Sequence, residues 1–209
     1  QMCIRDRIDG MRLKGVLGSF RLESHGVDLP NEIAIINRAE LSDTHVQLLL
    51  NDTTATPKDT AQSEVRWKVD LRHLKLKNVS FSMQLPADSM RLAAHVGEAQ
   101  VNDAEADLKN LHYGLRSFLV SGTSVNYDVG TAEPAEGFDP SHIALRDIRI
   151  GLDSMYYRGR NMNAVIREFS MNDRSGLSVT SLTGRVFAND TIIQVPSLKL
   201  LTPHSEMDL

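Results

Sequence analysis

Residues Val65–Leu85 read VRWKVDLRHLKLKNVSFSMQL, and the spacing of their apolar members decides the fold. Val65, Trp67, Val69 and Leu71 are apolar, with Arg66, Lys68, Asp70 and Arg72 between them. A period of two is the mark of a strand with one buried face. The phase then slips. Leu71 is followed by Leu74 and Leu76, and Leu76 by Val79, Phe81, Met83 and Leu85. Each slip is a step of three in place of two. A strand that gains a residue keeps its apolar side chains on one face only if it is bulged or bent there.

The same grammar runs outward in both directions. Upstream, Met11–Leu22 alternates loosely around Gly15 and Gly18, Ser24–Pro30 reads as a turn, and Leu41 steps by three to Thr44, Val46, Leu48 and Leu50. Asn51–Ser63 is polar and Thr-rich and reads as a surface loop. Downstream, Asp88–Leu108 has the Ala and Glu content of a helix. Its apolar residues nevertheless follow the slip pattern (Met90, Leu92, Ala94, Val96, then Ala99, Val101, then Ala104), which predicts strand. Asp128–Ser141 reads as a second loop, and Tyr157–Asn161 and Asn172–Gly176 as turns. Ile143 and Leu145 step to Ile148, Ile150 and Leu152; Ile166 steps to Phe169 and Met171; Ile193 and Val195 step to Leu198. Several slips fall on a basic residue followed by Asn, Asp or Glu: Lys77-Asn78, Lys109-Asn110, Arg146-Asp147 and Arg167-Glu168. These pairs read as degenerate repeats at unequal spacing, not a solenoid with a fixed rung.

No segment reads as an amphipathic helix able to cover the apolar face. The expected fold is therefore all-β: an elongated curved sheet of bent, bulged strands, a half-pipe with an apolar interior. At about 20 residues per pass it would hold about ten strands and be roughly 45–50 Å long. The side chains expected to line it are Val65, Trp67, Val69, Leu71, Val79, Phe81, Met83, Leu85, Ile148, Ile150, Leu152, Phe169, Met171, Ile193 and Val195. Plain core between two sheets is the competing expectation for the same residues.

Composition excludes little. The chain has 209 residues, 41% of them hydrophobic but only 5% aromatic, and a net charge of −4, which gives no general attraction to nucleic acid. No apolar run is long enough to span a bilayer. Gln1–Arg7 (QMCIRDR) resembles the translated end of a sequencing adapter and is set outside the fold, leaving 8–209 as one repetitive unit. Cys3, the only cysteine, goes with it, and a cysteine-free body suits an oxidising compartment. The end at Met207–Leu209 carries no stop signal, and the chain reads as an internal piece of a longer protein. The seven histidines form no pair at metal-ligand spacing and read as surface or groove-edge residues. No phosphate-binding, nucleophile-elbow or carboxylate-pair motif is present, so no enzyme, cofactor or metal is expected. The string Ser121–Val125 reads as a turn, and the basic run Arg66, Lys68, Arg72, Lys75 and Lys77 as a solvated outer face.

A family resemblance follows from the C-terminal half. Ile166–Gly184 (IREFSMNDRSGLSVTSLTG) and Val195–Met207 (VPSLKLLTPHSEM) resemble the repeat region of Bacteroidetes TamB-like translocation and assembly module proteins, in the AsmA-like superfamily. Leu71–Phe81 (LRHLKLKNVSF) has the same style. The resemblance implies a periplasmic β-taco groove anchored to the inner membrane by an N-terminal helix. It also implies phospholipid acyl chains as cargo and a BamA-like outer-membrane barrel as partner, met through regions outside this sequence. An extracellular β-solenoid, either an adhesin passenger or a carbohydrate-active β-helix, is the alternative.

Overall fold

The computed structural model describes residues 2–8, 11–50 and 66–209, with the backbone alone for 2–8. The expected loop at 51–63 and the expected lining residue Val65 lie outside the described residues. Thirteen strands make one sheet. They are β1 (Met2–Ile8), β2 (Met11–Leu17), β3 (Ser19–Asp28), β4 (Ile33–Leu50), β5 (Lys68–Leu85), β6 (Met90–Asp107), β7 (His112–Asp128), β8 (His142–Arg158), β9 (Asn161–Asp173), β10 (Ser178–Val179), β11 (Ser181–Ala188), β12 (Ile193–Leu201) and β13 (Glu206–Asp208). The described residues contain no α-helix, only a 3-10 turn at Pro86–Asp88.

The sheet is an open meander in the order β1-β2-β4-β5-β6-β7-β8-β9-β11-β12-β13. Its path of eleven strands spans roughly 45–50 Å at about 4.8 Å per strand. Every join is antiparallel except β4–β5, which is parallel. β3 and β10 lie off the path. β2 pairs with His45–Leu50 of β4 and β3 with Ile33–Ser42, so they are two lengths of one strand broken at Gly18. A Cβ at Gly18 would come within 2.5 Å of the Asp43 carbonyl oxygen, which leaves glycine as the residue that fits. Met2–Ile8 pairs along its whole length with β2. A sheet edge offers backbone groups to any extended segment, so this pairing does not depend on the sequence of β1.

Long strands bent in step give the sheet its shape. β4, β5 and β6 are each 18 residues long, about three times the usual strand. Two lines of irregularity cross them. The first runs through Gly18, Asp43 (φ 49°), Asn78 (φ 54°), Gly97, Gly122 (φ 60°) and Asp147 (φ 54°), which the register sets side by side. Asp and Asn tolerate the left-handed region better than other side-chain-bearing residues, because their short polar side chains bond locally. Here Asn78 Nδ2 donates to Asp43 Oδ1 at 2.7 Å, and Asn172 Nδ2 to Asp147 Oδ2 at 3.2 Å. The second line lies some six residues away, roughly 20 Å along the strands. It passes between Leu71 and Leu74, through Asp103 (φ 47°), then between Leu115 and Phe118, Leu152 and Met155, and Ile166 and Phe169. Arg116 pairs with Asp103 at 2.7 Å and Arg167 with Asp153 at 3.1 Å along it. Most steps of three in the sequence are these two lines; the step from Val195 to Leu198 is a separate bulge opposite Arg185–Phe187.

Burial locates the inside of the bend. Among the described residues, only Ala99, Val120 and Ile148 are buried apolar residues, and Thr44 and Thr123 are buried beside them. All five flank the first line on the apolar face, which is therefore concave there. The chain exposes 14003 Å², against about 9,700 Å² expected of a compact protein of its size. A sheet without a second layer has such an excess.

Four expectations need correction. Ser24–Asp28 is strand, paired with Ile33–Ile36 through a bulge, and the turn is Leu29–Glu32. The polar residues there belong to an edge strand, where side chains can stay in water. Ser121–Val125 is the bend within β7, not a turn between strands. The basic-polar pairs are not one repeat: Asn78 and Asp147 sit on the first line, Arg167-Glu168 on the second, and Lys109-Asn110 in a hairpin turn. His142 is buried, its Nδ1 2.9 Å from Asp139 Oδ2, because the 129–141 loop folds back on it.

Candidate functional site

Register turns the apolar alternation into continuous rows across the sheet. Leu41, Leu76, Ala99, Val120, Ile150 and Phe169 form one row over β4 to β9. Ala39, Leu74, Val101, Phe118, Leu152, Ile166, Gly184 and Leu198 form the next, reaching β12. Beyond the bends lie Val46–Phe81–Ala94–Val125–Leu145 on one side and Ile36–Leu71–Ala104–Leu115–Met155–Ala164–Val186 on the other. The opposite face carries charge: Lys68 pairs with Asp107 at 3.5 Å and Lys75 with Glu98 at 3.4 Å. The contrast between faces follows from period two, and the bends preserve it where the period fails.

The expected lining residues that the register pairs, from Val69 to Ile193, fall on its apolar side, and Trp67 and Val195 stand two residues from Val69 and Ile193. Val69 and Leu71 lie near one long rim, and Phe81, Met83 and Leu85 near the other. Val79, Ile148 and Met171 all lie along the first line, Val79 on β5 being three strands from Ile148 on β8, and Ile150 is the direct partner of Phe169. Leu152 occupies the adjoining row. They are not one pocket, since Val69 and Leu85 are roughly 50 Å apart along β5. Phe81 is 36% exposed and Ile193 is 75% exposed. Ile193 opens β12, where few neighbours flank it, and Val195 follows on the same side before the bulge opposite Arg185–Phe187. Missing from the expected set were Leu74, Leu76, Ala99, Val101, Phe118 and Val120, which complete the middle of the trough. Their signal was the same slip pattern.

Aromatic residues mark one rim. Tyr113 and Tyr157 are cross-strand partners with ring centroids 6.1 Å apart and planes at 28°. Trp67 lies one step beyond Val69, its carbonyl accepting from Leu108 N–H at 2.9 Å. An amphipathic ring suits such a boundary, with its body on the apolar face and its polar atom toward water.

The shifted carboxylates have structural causes, and one of them, Asp173, is buried as the cross-strand partner of Leu145 and lowered first by Ser175. Asp139 is drawn down to about 2 by the backbone N–H groups of Ala135 and Ser141 and then by His142. Asp107 is lowered by the side chain and backbone N–H of Asn110, with Lys68 adding to it. Glu98 is lowered by Gln100 and then Lys75. Each bond holds a turn or a strand pair in place. On the polar face the second line opens a recess of about 500 Å³ lined by Asp70, Arg72, Asp103, Glu105, Arg116 and Tyr156 over Gly114. Its charges are mixed, and Arg116 is already bound to Asp103. Among the described residues no three of His, Cys, Asp and Glu stand where they could share a metal ion.

No protein-family model matches the chain, and no curated protein matches it.

Proposed function

We propose that this chain is a segment of a groove-forming envelope protein that carries phospholipid acyl chains between the inner and outer membranes, or supports outer-membrane protein assembly. The observation that supports this reading is the apolar face itself. Its rows are continuous from β4 to β9, and neither a helix nor a second sheet lies over them among the described residues. Keeping a methylene out of water is worth about 0.8 kcal/mol. A face of Leu, Val, Ile and Ala offers that along its whole extent without a tight site at any one place, so a chain can slide instead of being trapped.

In this reading the protein works in the periplasm, held to the inner membrane by a helix and meeting a BamA-like barrel through other regions, and it catalyses nothing. A stacked β-helix needs parallel rungs, and the single parallel join here, β4–β5, supports that alternative poorly.

The test is photo-crosslinking in cells from a benzophenone amino acid at Phe81 or Ile150, with Arg149 on the outer face as control. Phospholipid adducts from both inner positions and none from Arg149 are expected. No lipid from either, or equal amounts from Arg149, would overturn the proposal.

A further inference from the structure

We infer that the outer edge of β3 pairs with the same edge of a second copy of this chain, antiparallel and about a two-fold axis through Leu22. β2 and β3 are two lengths of one strand, and β1 covers β2 from Met11 to Leu17. Past Leu17 the strand pairs with β4 alone, so β3 presents its other row of backbone N–H and C=O groups unpaired. The far edge of the sheet is interrupted instead. β13 covers Lys199–Leu201 there, and β12 carries Pro196, which has no N–H to donate. β3 contains no proline, and Phe20 and Leu22 stand 57% and 51% exposed on it.

Register says what fits this edge. His25 has no partner on β4, and this bulge limits regular pairing to Ser19–Ser24. A two-fold axis normal to the sheet sets an odd number against an odd one and an even against an even, which keeps both apolar faces on one side. Centring on Arg21 would put Arg21 against its own copy, and centring on Glu23 would do the same to Glu23. Like charges directly opposite are destabilising. Centring on Phe20 would carry Glu23 onto Leu17, which β1 already covers. Centring on Ser24 would run the pairing through the bulge. Leu22 is the centre left. There Leu22 meets Leu22, Phe20 meets Ser24, and Arg21 meets Glu23 twice.

Arg21 is already bound to Glu23 on its own strand, so the charges choose the register more than they strengthen the contact. They also continue the pattern of β4, where Glu40 stands opposite Arg21 and Arg38 opposite Glu23. Signs then alternate across all four strands of the junction. On the other face the row Ala39–Leu74–Val101 gains Leu22 from each copy, and two troughs join into one. The pairing does not depend on what the trough carries.

Sedimentation velocity of the purified chain is the first test. A contact this small is expected to give monomer at about 1 µM and dimer at roughly 100 µM. Arg21→Glu and Glu23→Arg each set two like-charged pairs across the axis, and each alone should dimerise about tenfold more weakly. An equimolar mixture of the two sets opposite charges there and should associate at least as tightly as the parent, a rescue that misfolding of either variant cannot produce. Oxidation locates the axis. In a Cys3→Ser chain, Leu22→Cys should link two copies, its Cβ atoms standing about 5 Å apart. Phe20→Cys should not, being roughly 13 Å from its counterpart. A parent that stays monomeric at the higher concentration, a mixture no tighter than either variant alone, or linkage through Phe20→Cys in place of Leu22→Cys each overturns the inference.

Discussion

Replacing Gly97 with alanine should destabilise the sheet, although propensity alone argues the opposite. Gly97 lies in β6, where the first line of bends crosses, and its φ is not in the left-handed region. Alanine fits such a backbone, and within a strand it is ordinarily favoured over glycine by about 0.5–1 kcal/mol. The neighbours reverse the sign. A Cβ there would stand 2.8 Å from the Gly122 carbonyl oxygen, 3.0 Å from the Ser121 carbonyl oxygen and 3.2 Å from the Gly122 carbonyl carbon. All three are backbone atoms of β7, which cannot retreat without lengthening the β6–β7 ladder. Forcing a methyl group into a filled site costs about 1–3 kcal/mol. The net loss is then roughly 0.5–2 kcal/mol, which in a chain of this length lowers Tm by about 1–8 °C. Gly26→Ala is the control, because its Cβ would meet nothing within 4 Å, and it should melt at or above the parent temperature. Thermal unfolding followed by circular dichroism compares the two directly. If Gly97→Ala melts no lower than the parent, the close approach of β6 and β7 at the bend is wrong.

Further outcomes follow from other parts of the sheet. Glu32→Gly should raise stability by about 1 kcal/mol, since Glu32 is left-handed and its Oε2 is buried without a partner; a lower urea midpoint would contradict this. Ile148→Ala should cost about 2 kcal/mol, at the low end for core truncations because no layer above the face leaves a closed cavity, whereas the exposed Phe81→Ala should cost under about 1 kcal/mol; equal losses in chemical denaturation would count against a single-layer face. The Asp139 carboxyl titrates lower in the folded chain than in the unfolded one, so its contribution is fully present above pH ~4 and fades as pH falls toward about 2. The protection of the 129–141 amides, exchange taken relative to its intrinsic rate at each pH, should therefore fall in acid in the parent, while in Asp139→Asn it should already be low at neutral pH; full protection of the loop in Asp139→Asn would refute the anchoring role. Leu22→Lys should reduce self-association measured by sedimentation, because β3 pairs only with β4 and exposes Phe20 and Leu22 at an open edge.

The bends were legible because a one-residue slip moves every later side chain to the other face. Steps such as Leu76 to Val79 and Leu145 to Ile148 therefore had to mark places where the strand compensates. The same constraint kept β6 a strand despite its Ala and Glu content. Which bends align across strands was not legible, because alignment depends on register, and register rests on hairpin geometry. The turn motif shared by Asp28–Glu32 and Asp107–Leu111 is present as Asp-Leu-x-Asn but carries no ordinary turn signal, since its left-handed residues are Glu and Leu and not Gly. The parallel join of β4 to β5 left no local trace at all. Of the trough, alternation marked both rims and the β8–β9 part of the centre (Ile150, Leu152 and Phe169), while the rest of the centre, from Leu74 and Leu76 to Ala99 and Val120, is set by cross-strand register that no single strand's pattern carries.

The most direct measurement uses Trp67, the only tryptophan, which stands at the rim of the apolar face. A short-chain phospholipid brominated on its acyl tail is added to the purified chain below its micelle concentration, and tryptophan fluorescence is recorded. An open trough predicts saturable quenching by the brominated tail, absent with a brominated headgroup analogue that lacks the tail and weakened by Val69→Asp. Fluorescence unchanged by the brominated tail, or quenched equally by the headgroup analogue, would contradict a face that receives acyl chains.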